Sequence, residues 1–296
     1  MTLHPNRWLV RSLALAVGCA PAVTPIPTPR PTPAPTTPPP STVTPPPSTS
    51  SAPVRFAYAA GPAAYDVRTE STIELTGGPE SERGRETVSS AARVSYVVAP
   101  SARGTTITGQ VDGFAVEASA RVSGGVADPP ATVRFRGTVD ARGATVERDG
   151  AAPGCAAPTG AAEASALARA RETVVRLPSP VTTGARWRDS VVISTCRSQL
   201  PATVTTVATY QVTAVEGSTV RVRRQTTTTV RGQGIAGGRA VSMSGAGAED
   251  ATLELDAALG RLVRVDGEGR STITVSLPDG SRQFDQRTKL TVRARP

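Results

Sequence analysis

The chain has 296 residues and a formal charge of +9, from 33 Lys and Arg against 24 Asp and Glu, and 3% of it is aromatic. Its one histidine is His4. The region after residue 19 therefore lacks the imidazole of a Ser-His-Asp or Cys-His nucleophile and the commonest ligand of catalytic zinc or facial-triad iron.

The first nineteen residues carry Arg7 and Arg11, a short apolar run from Leu13 to Gly18, and then Cys19. A basic start, an apolar stretch and small residues form an export signal. Ala16-Val17-Gly18-Cys19 resembles the lipobox of bacterial lipoproteins, although that family prefers Leu where Ala16 stands. The resemblance implies that Cys19 is diacylated and becomes the mature N-terminus, a membrane partner through lipid. An ordinary secretory signal is the plainer alternative. Ala20 follows the Cys rather than Asp, which in a host with two membranes implies sorting to the outer one.

Residues 20–53 hold more than half of the chain's 27 prolines, mixed with Thr, Ser and Ala, and no aromatic residue. Such a segment buries too little apolar area to fold. It reads as a disordered Pro/Thr-rich tether, extended at about 3.1 Å per residue.

From residue 54 onward the pattern changes to alternation. Residues 92–98, 105–111, 131–137, 218–224, 251–256 and 271–277 largely alternate apolar or small residues with polar or charged ones. That is the period of half-buried antiparallel strands. Turn signals stand at Val215-Glu-Gly217, Asp266-Gly-Glu-Gly269 and Pro278-Asp-Gly280. Residues 161–175 break the pattern. They are rich in Ala, Leu, Arg and Glu, with Glu163 near the start and Arg169 and Arg171 toward the end, as a helix dipole favours. The fold class is all-β, with antiparallel sheets in two related halves, 54–160 and 176–296. Residues 161–175 form a short helix joining them into a clamshell or half-barrel.

With Cys19 lipidated, Cys155 and Cys196 remain as one pair, and an exported protein sits in an oxidising compartment. The expected product is a Cys155–Cys196 disulfide; two buried free thiols are the alternative. Carboxylates cluster at Glu249-Asp250, Glu254 and Asp256, and at Glu80, Glu82 and Glu86. Paired carboxylates serve glycoside hydrolysis, but solvated faces and turns account for them more simply. Asp266 and Asp279 sit in turn-like stretches without the spaced ligands of a calcium loop, so no metal site is assigned. Gly232-Gln-Gly234-Ile-Ala-Gly237 matches a dinucleotide fingerprint, but no helix-forming sequence follows it. A glycine-rich loop or bulged strand is the better reading. Lys289, the one lysine, falls in an alternating strand, where a solvated position outweighs Schiff-base chemistry. Arg221, Arg223 and Arg224 form the densest basic patch and a candidate anion-binding surface.

The second half carries one further resemblance. Leu177-Pro-Ser-Pro-Val-Thr-Thr-Gly-Ala-Arg-Trp187, then Tyr210-Gln-Val, Gly245-Ala-Gly, Leu255-Asp and Gly260 look like uncharacterised bacterial lipoproteins with a Pro, Gly, Trp motif before a β-rich C-terminal half. The acidic residue usual before that Trp is replaced here by Ala185 and Arg186. The resemblance implies a secreted β domain and no activity. The sequence thus describes a lipid-anchored cell-envelope β protein without cofactor. It is expected to be a non-catalytic structural or interaction module whose partner is an envelope protein, polysaccharide or lipid, and not nucleic acid. A carrier or sensor of a lipid or other apolar ligand, loosely similar to periplasmic lipoprotein carriers, is the alternative. Small aliphatic residues dominate the expected core and favour the first, because they leave little to line a large pocket.

Overall fold

A computed structural model describes residues 53–296, apart from 79, 81–82, 103, 119–131, 156, 158, 198–199 and 237. The signal, Cys19, the tether to residue 52 and Glu82 lie outside the described residues. Eleven antiparallel strands form one sheet. The first block is β1 (Gly61–Gly77), β2 (Gly84–Ser101), β3 (Gly104–Ala118), β4 (Thr132–Val139) and β5 (Ala144–Arg148). A helix, α1 (Gly160–Arg171), follows. The second block is β6 (Arg186–Arg197), β7 (Leu200–Glu216), β8 (Thr219–Ala236), β9 (Arg239–Asp256), β10 (Arg261–Leu277) and β11 (Gly280–Ala294). Both blocks are meanders. They join where β1 pairs with β11, from Tyr65↔Ala294 to Gly77↔Arg282. The expected halves therefore share a single sheet, nearly closed into a barrel, with the free edges of β5 and β6 at its two ends.

The period of two puts the apolar set inside. Inward positions build two clusters. The larger includes Tyr65, Tyr96, Phe135, Val222, Leu253 and Val292, and takes in Ala166, Leu167 and Ala170 of α1. The smaller, toward the other end of the strands, includes Ile73, Leu200, Met243, Ile273 and Phe284. Full burial of a side chain such as Phe135 contributes roughly 1.5–3 kcal/mol. Outward positions are mostly Arg, Thr, Ser, Glu and Asp, as along β8, where Arg221, Arg223, Gln225, Thr227 and Thr229 are exposed. That face is mainly polar, whereas a membrane-spanning barrel carries an apolar outer band. Bulges let the inward parity change within a strand. The register shifts between Ala91 and Arg93 opposite β3, between Val212 and Ala214, and between Leu262 and Arg264.

Two glycines have steric reasons. A Cβ on Gly109 would lie 2.8 Å from Phe135 Cζ, so the ring needs hydrogen there. Gly260, with φ +55°, turns the chain between β9 and β10, and a Cβ would meet Ala57 O at 2.3 Å. The turns expected at Gly217 and at Pro278-Asp279 are present. The one expected at residues 266–269 is not: those residues run through β10. Gly267 and Gly269 are buried strand positions, and a Cβ on Gly267 would come 3.1 Å from Ala251 Cβ and 3.5 Å from Glu249 Cδ.

Helix α1 ends at Arg171, four residues short of the expected boundary. Beyond it, Glu172 to Val175 run without regular structure and are held by phenols. Tyr96 donates to Thr173 O at 3.2 Å, and its oxygen lies 3.2 Å from Tyr65 Oη, with the two rings stacked at 5.6 Å. Tyr58 donates to Val175 O at 3.0 Å and accepts from Val175 N at 2.9 Å. The chain before β1 joins the same end through paired hydrogen bonds between Val54 and Val181. The connection from β5 to β6 is tied to both free edges. Cys155 and Cys196 form the expected disulfide, with Cα atoms 5.1 Å apart. Closing a loop across a sequence separation of 41 removes unfolded-state entropy worth about 4 kcal/mol in the chain-entropy model. Arg148 Nε binds Glu163 at 2.8 Å, Arg171 Nε binds Val146 O at 3.1 Å, and Arg176 binds Asp189 at 2.8 Å.

Burial pushes the ionisation of all four tyrosines upward, Tyr210 to about 12. The fold thus favours neutral phenols. Their contribution to stability is full below the unfolded value near 10 and falls as the pH rises above it. A phenolate absorbance titration should show far less tyrosinate in the native protein at pH 10 than in the unfolded chain, and appearance of tyrosinate together with loss of circular dichroism at higher pH. As much phenolate at pH 10 in a fully folded protein as in the unfolded chain would contradict this packing.

Candidate binding cavity and its buried ion network

Between the two apolar clusters the inward positions change character. Thr69 and Ser71 on β1, Ser90 on β2, Thr226 and Thr228 on β8, Ser271 on β10 and Gln286 on β11 are buried polar residues. They lie side by side in register: Thr69 opposite Ser90, Ser71 opposite Thr288, Gln286 opposite Ser271. They bond to one another. Thr69 Oγ1 meets Ser90 Oγ at 2.8 Å, Ser71 Oγ meets Thr288 Oγ1 at 2.9 Å, and Gln286 Nε2 donates to Ser71 Oγ at 2.9 Å. Hydroxyls that satisfy each other avoid most of the cost of burial. Small side chains here and glycines on β9 and β10 leave space. The result is a cavity of about 1560 Å³, lined by this belt, by α1 and by the free edges of β5 and β6. Apolar side chains line it too: Val88, Ala202 and Val204 of the smaller cluster, and Leu167, Val174, Val191 and Ile193. The expectation that a core of small aliphatics leaves no room for a large pocket is corrected. Small inward residues on long, curved strands create the room.

An ion network forms one wall. Arg224, 8% exposed, points inward from β8. Its Nη2 donates to Glu172 Oε2 at 2.7 Å, just beyond α1, and to Glu249 Oε1 on β9. Burial alone would lower the Arg224 pKa, but the two carboxylates outweigh it and hold the guanidinium charged. Burial raises the pKa of Glu249, against the pull of Arg224. Arg169, on the last turn of α1, also lines the cavity. Its Nε is buried and donates no hydrogen bond. Desolvation lowers its pKa, and Glu172 and Glu249 oppose that through their charge. Tyr210 lies opposite Arg224 in register and stacks on Trp187 at 4.8 Å, with the rings 2° from parallel.

The expected basic patch is divided by the pleat. Arg221 and Arg223 face solvent; Arg221 pairs with Glu216 at 3.0 Å and Glu254 at 3.8 Å, and Arg223 with Asp250. Arg224 alone of the three faces the cavity. The same alternation separates Glu249, inside, from Asp250, outside. Asp256 accepts from the Ala258 and Leu259 amides and shapes a turn. Asp266 pairs with Arg264 and Arg293, and Asp279 with Arg282 and Arg239. Among the described residues no three His, Cys, Asp or Glu side chains converge as a metal site. Lys289 is exposed on β11, between Glu70 and Glu268 in register. Gly232 and Gly234 belong to β8, and strand β9 follows rather than a helix.

No protein-family profile matches the chain, and no curated protein sequence matches it. Among solved structures it is similar to the β domain of the Bordetella autotransporter BrkA, at 8% identity over 79% of this chain and 99% of that one, with a TM-score of 0.26. It is also similar to Pseudomonas putida OprB, at 8% identity over 79% and 94%, with a TM-score of 0.24. Superposition this loose carries no functional argument.

The network predicts an asymmetric response to mutation. Arg224→Met leaves the Glu249 carboxylate, whose side chain is 9% exposed, and the half-buried Glu172 without their shared cation, and should cost about 3 kcal/mol in urea denaturation. Adding Glu249→Leu and Glu172→Leu should recover most of that loss, because an apolar replacement of a whole buried network is close to neutral. Equal instability of the single and triple variants would contradict the buried placement.

Proposed function

We propose that this protein is a non-catalytic binding module of the bacterial cell envelope, held by lipid on Cys19 and lifted from the membrane by the Pro/Thr-rich segment. Its barrel takes up an amphipathic small molecule. The observation that carries the reading is the cavity of about 1560 Å³ lined by the inner face of the sheet and α1 and open on one side. It is larger than the roughly 300–1,000 Å³ of common small-molecule sites. Its lining pairs an apolar end with a belt of hydroxyls, which suits a ligand having both characters. A solvated outer face supports a domain that stands in water rather than in the bilayer. The cavity's two neighbouring carboxylates, Glu172 and Glu249, are both bonded to Arg224, an arrangement that favours binding over acid–base chemistry.

The full chain should fractionate with membranes and the Cys19→Ala variant with the soluble fraction. That soluble variant should bind the neutral apolar fluorophore phenylnaphthylamine saturably, at one per chain. Adding Ser90→Trp, which places an indole on the cavity wall, should reduce the affinity at least tenfold. A signal that never saturates, or one indifferent to the indole, would overturn the binding reading.

A further inference from the structure

Arginines on the cavity wall differ in what they bond to. Arg148 is bonded to Glu163, Arg171 to Val146 O, and Arg224 to Glu172 and Glu249. Arg169 has its Nε buried without an acceptor, and the carboxylates that act on it through their charge are those already bonded to Arg224. Two guanidinium groups thus share two carboxylates, and both carboxylates are bonded to Arg224. Arg169 is thereby left on the wall with its Nε unbonded, and a partly buried cation without a bonded counter-charge is costly. A guanidinium presents a planar fork of donors that fits an oxyanion. From Arg169 the cavity runs past the hydroxyls of Thr226 and Ser90 to the apolar surface of Val88, Ala202 and Val204.

We propose that Arg169 receives the anionic headgroup of the cavity's ligand, so that the ligand is a single-chain amphiphile ending in a carboxylate or phosphate, with its tail lying toward Val88 and Val204. This assignment rests on the binding reading above and narrows it to a ligand class. The headgroup enters as the bonded partner that the two glutamates do not supply. Binding is reversible and no covalent step is involved.

The test is displacement of phenylnaphthylamine from the full chain carrying Cys19→Ala, at neutral pH and with folding checked by circular dichroism. The competitors are dodecanoate, dodecyl phosphate, dodecanol and inorganic phosphate. Dodecanoate or dodecyl phosphate, whichever headgroup fits, should compete at least tenfold more strongly than dodecanol. Competition by inorganic phosphate alone at similar concentration would reassign the site to a free anion and overturn the amphiphile. Arg169→Gln should remove the preference for the charged chains and leave dodecanol unchanged, while Arg169→Lys should restore part of it. Equal competition by dodecanol and both charged chains, or an equal loss for all three in Arg169→Gln, would overturn the headgroup assignment and leave the binding reading standing. Absence of saturable phenylnaphthylamine binding in the unsubstituted cavity would overturn both.

Discussion

Pairing of β1 with β11 is the contact on which the rest of this structure depends. The two strands lie at opposite ends of the folded sequence, so their thirteen paired positions close the largest loop in the chain. The pairing turns two meanders into one sheet and, among the described strands, leaves only β5 and β6 with free edges. It also sets Ser71 beside Thr288 and so continues the polar belt across the junction. A free edge invites pairing with other chains. Here the connection that contains α1 lies between the two edges and is bonded to both, through the disulfide, Arg148–Glu163 and Arg176–Asp189.

The interior is arranged as apolar cluster, polar belt, apolar cluster along the strands. A barrel interior filled by bulky side chains would be a plain core. The belt substitutes Ser, Thr and Gly at inward positions of neighbouring strands, which trades packing for volume. Buried hydroxyls remain tolerable because they bond to each other across strands, and Arg224 because two glutamates reach it. The glycines on β10 belong to the same design: Gly267 stands where the Glu249 side chain lies.

Much of this was legible in the sequence. Alternation located the strands, composition located α1, and cysteine arithmetic paired Cys155 with Cys196. The inward network was encoded by the same period of two. Val220, Val222 and Arg224 share parity, as do Glu249, Ala251, Leu253 and Leu255, which puts Arg224 and Glu249 on the core face. Read as local clusters, Arg221 to Arg224 and Glu249-Asp250 looked like surface charge. Read by parity, each splits into an inward and an outward member. Two features had no such signal. The glycines at 267 and 269 resemble a turn because their purpose lies on the neighbouring strand. Closure of β1 onto β11 is a long-range pairing that no local pattern specifies. The resemblance to β-rich lipoproteins included Trp187 and Tyr210, and the structure gives those two residues a shared place, stacked beside Arg224.

In the function proposed above, the barrel holds a ligand and is more than a folded spacer. Native mass spectrometry of the full chain carrying Cys19→Ala, isolated without detergent, tests it most directly. A ligand-holding barrel gives a population heavier than the bare chain by one discrete mass, released on unfolding and fragmenting as an acidic single-chain amphiphile. A bare mass alone, unchanged after incubation with an excess of dodecanoate and dodecyl phosphate, would contradict it.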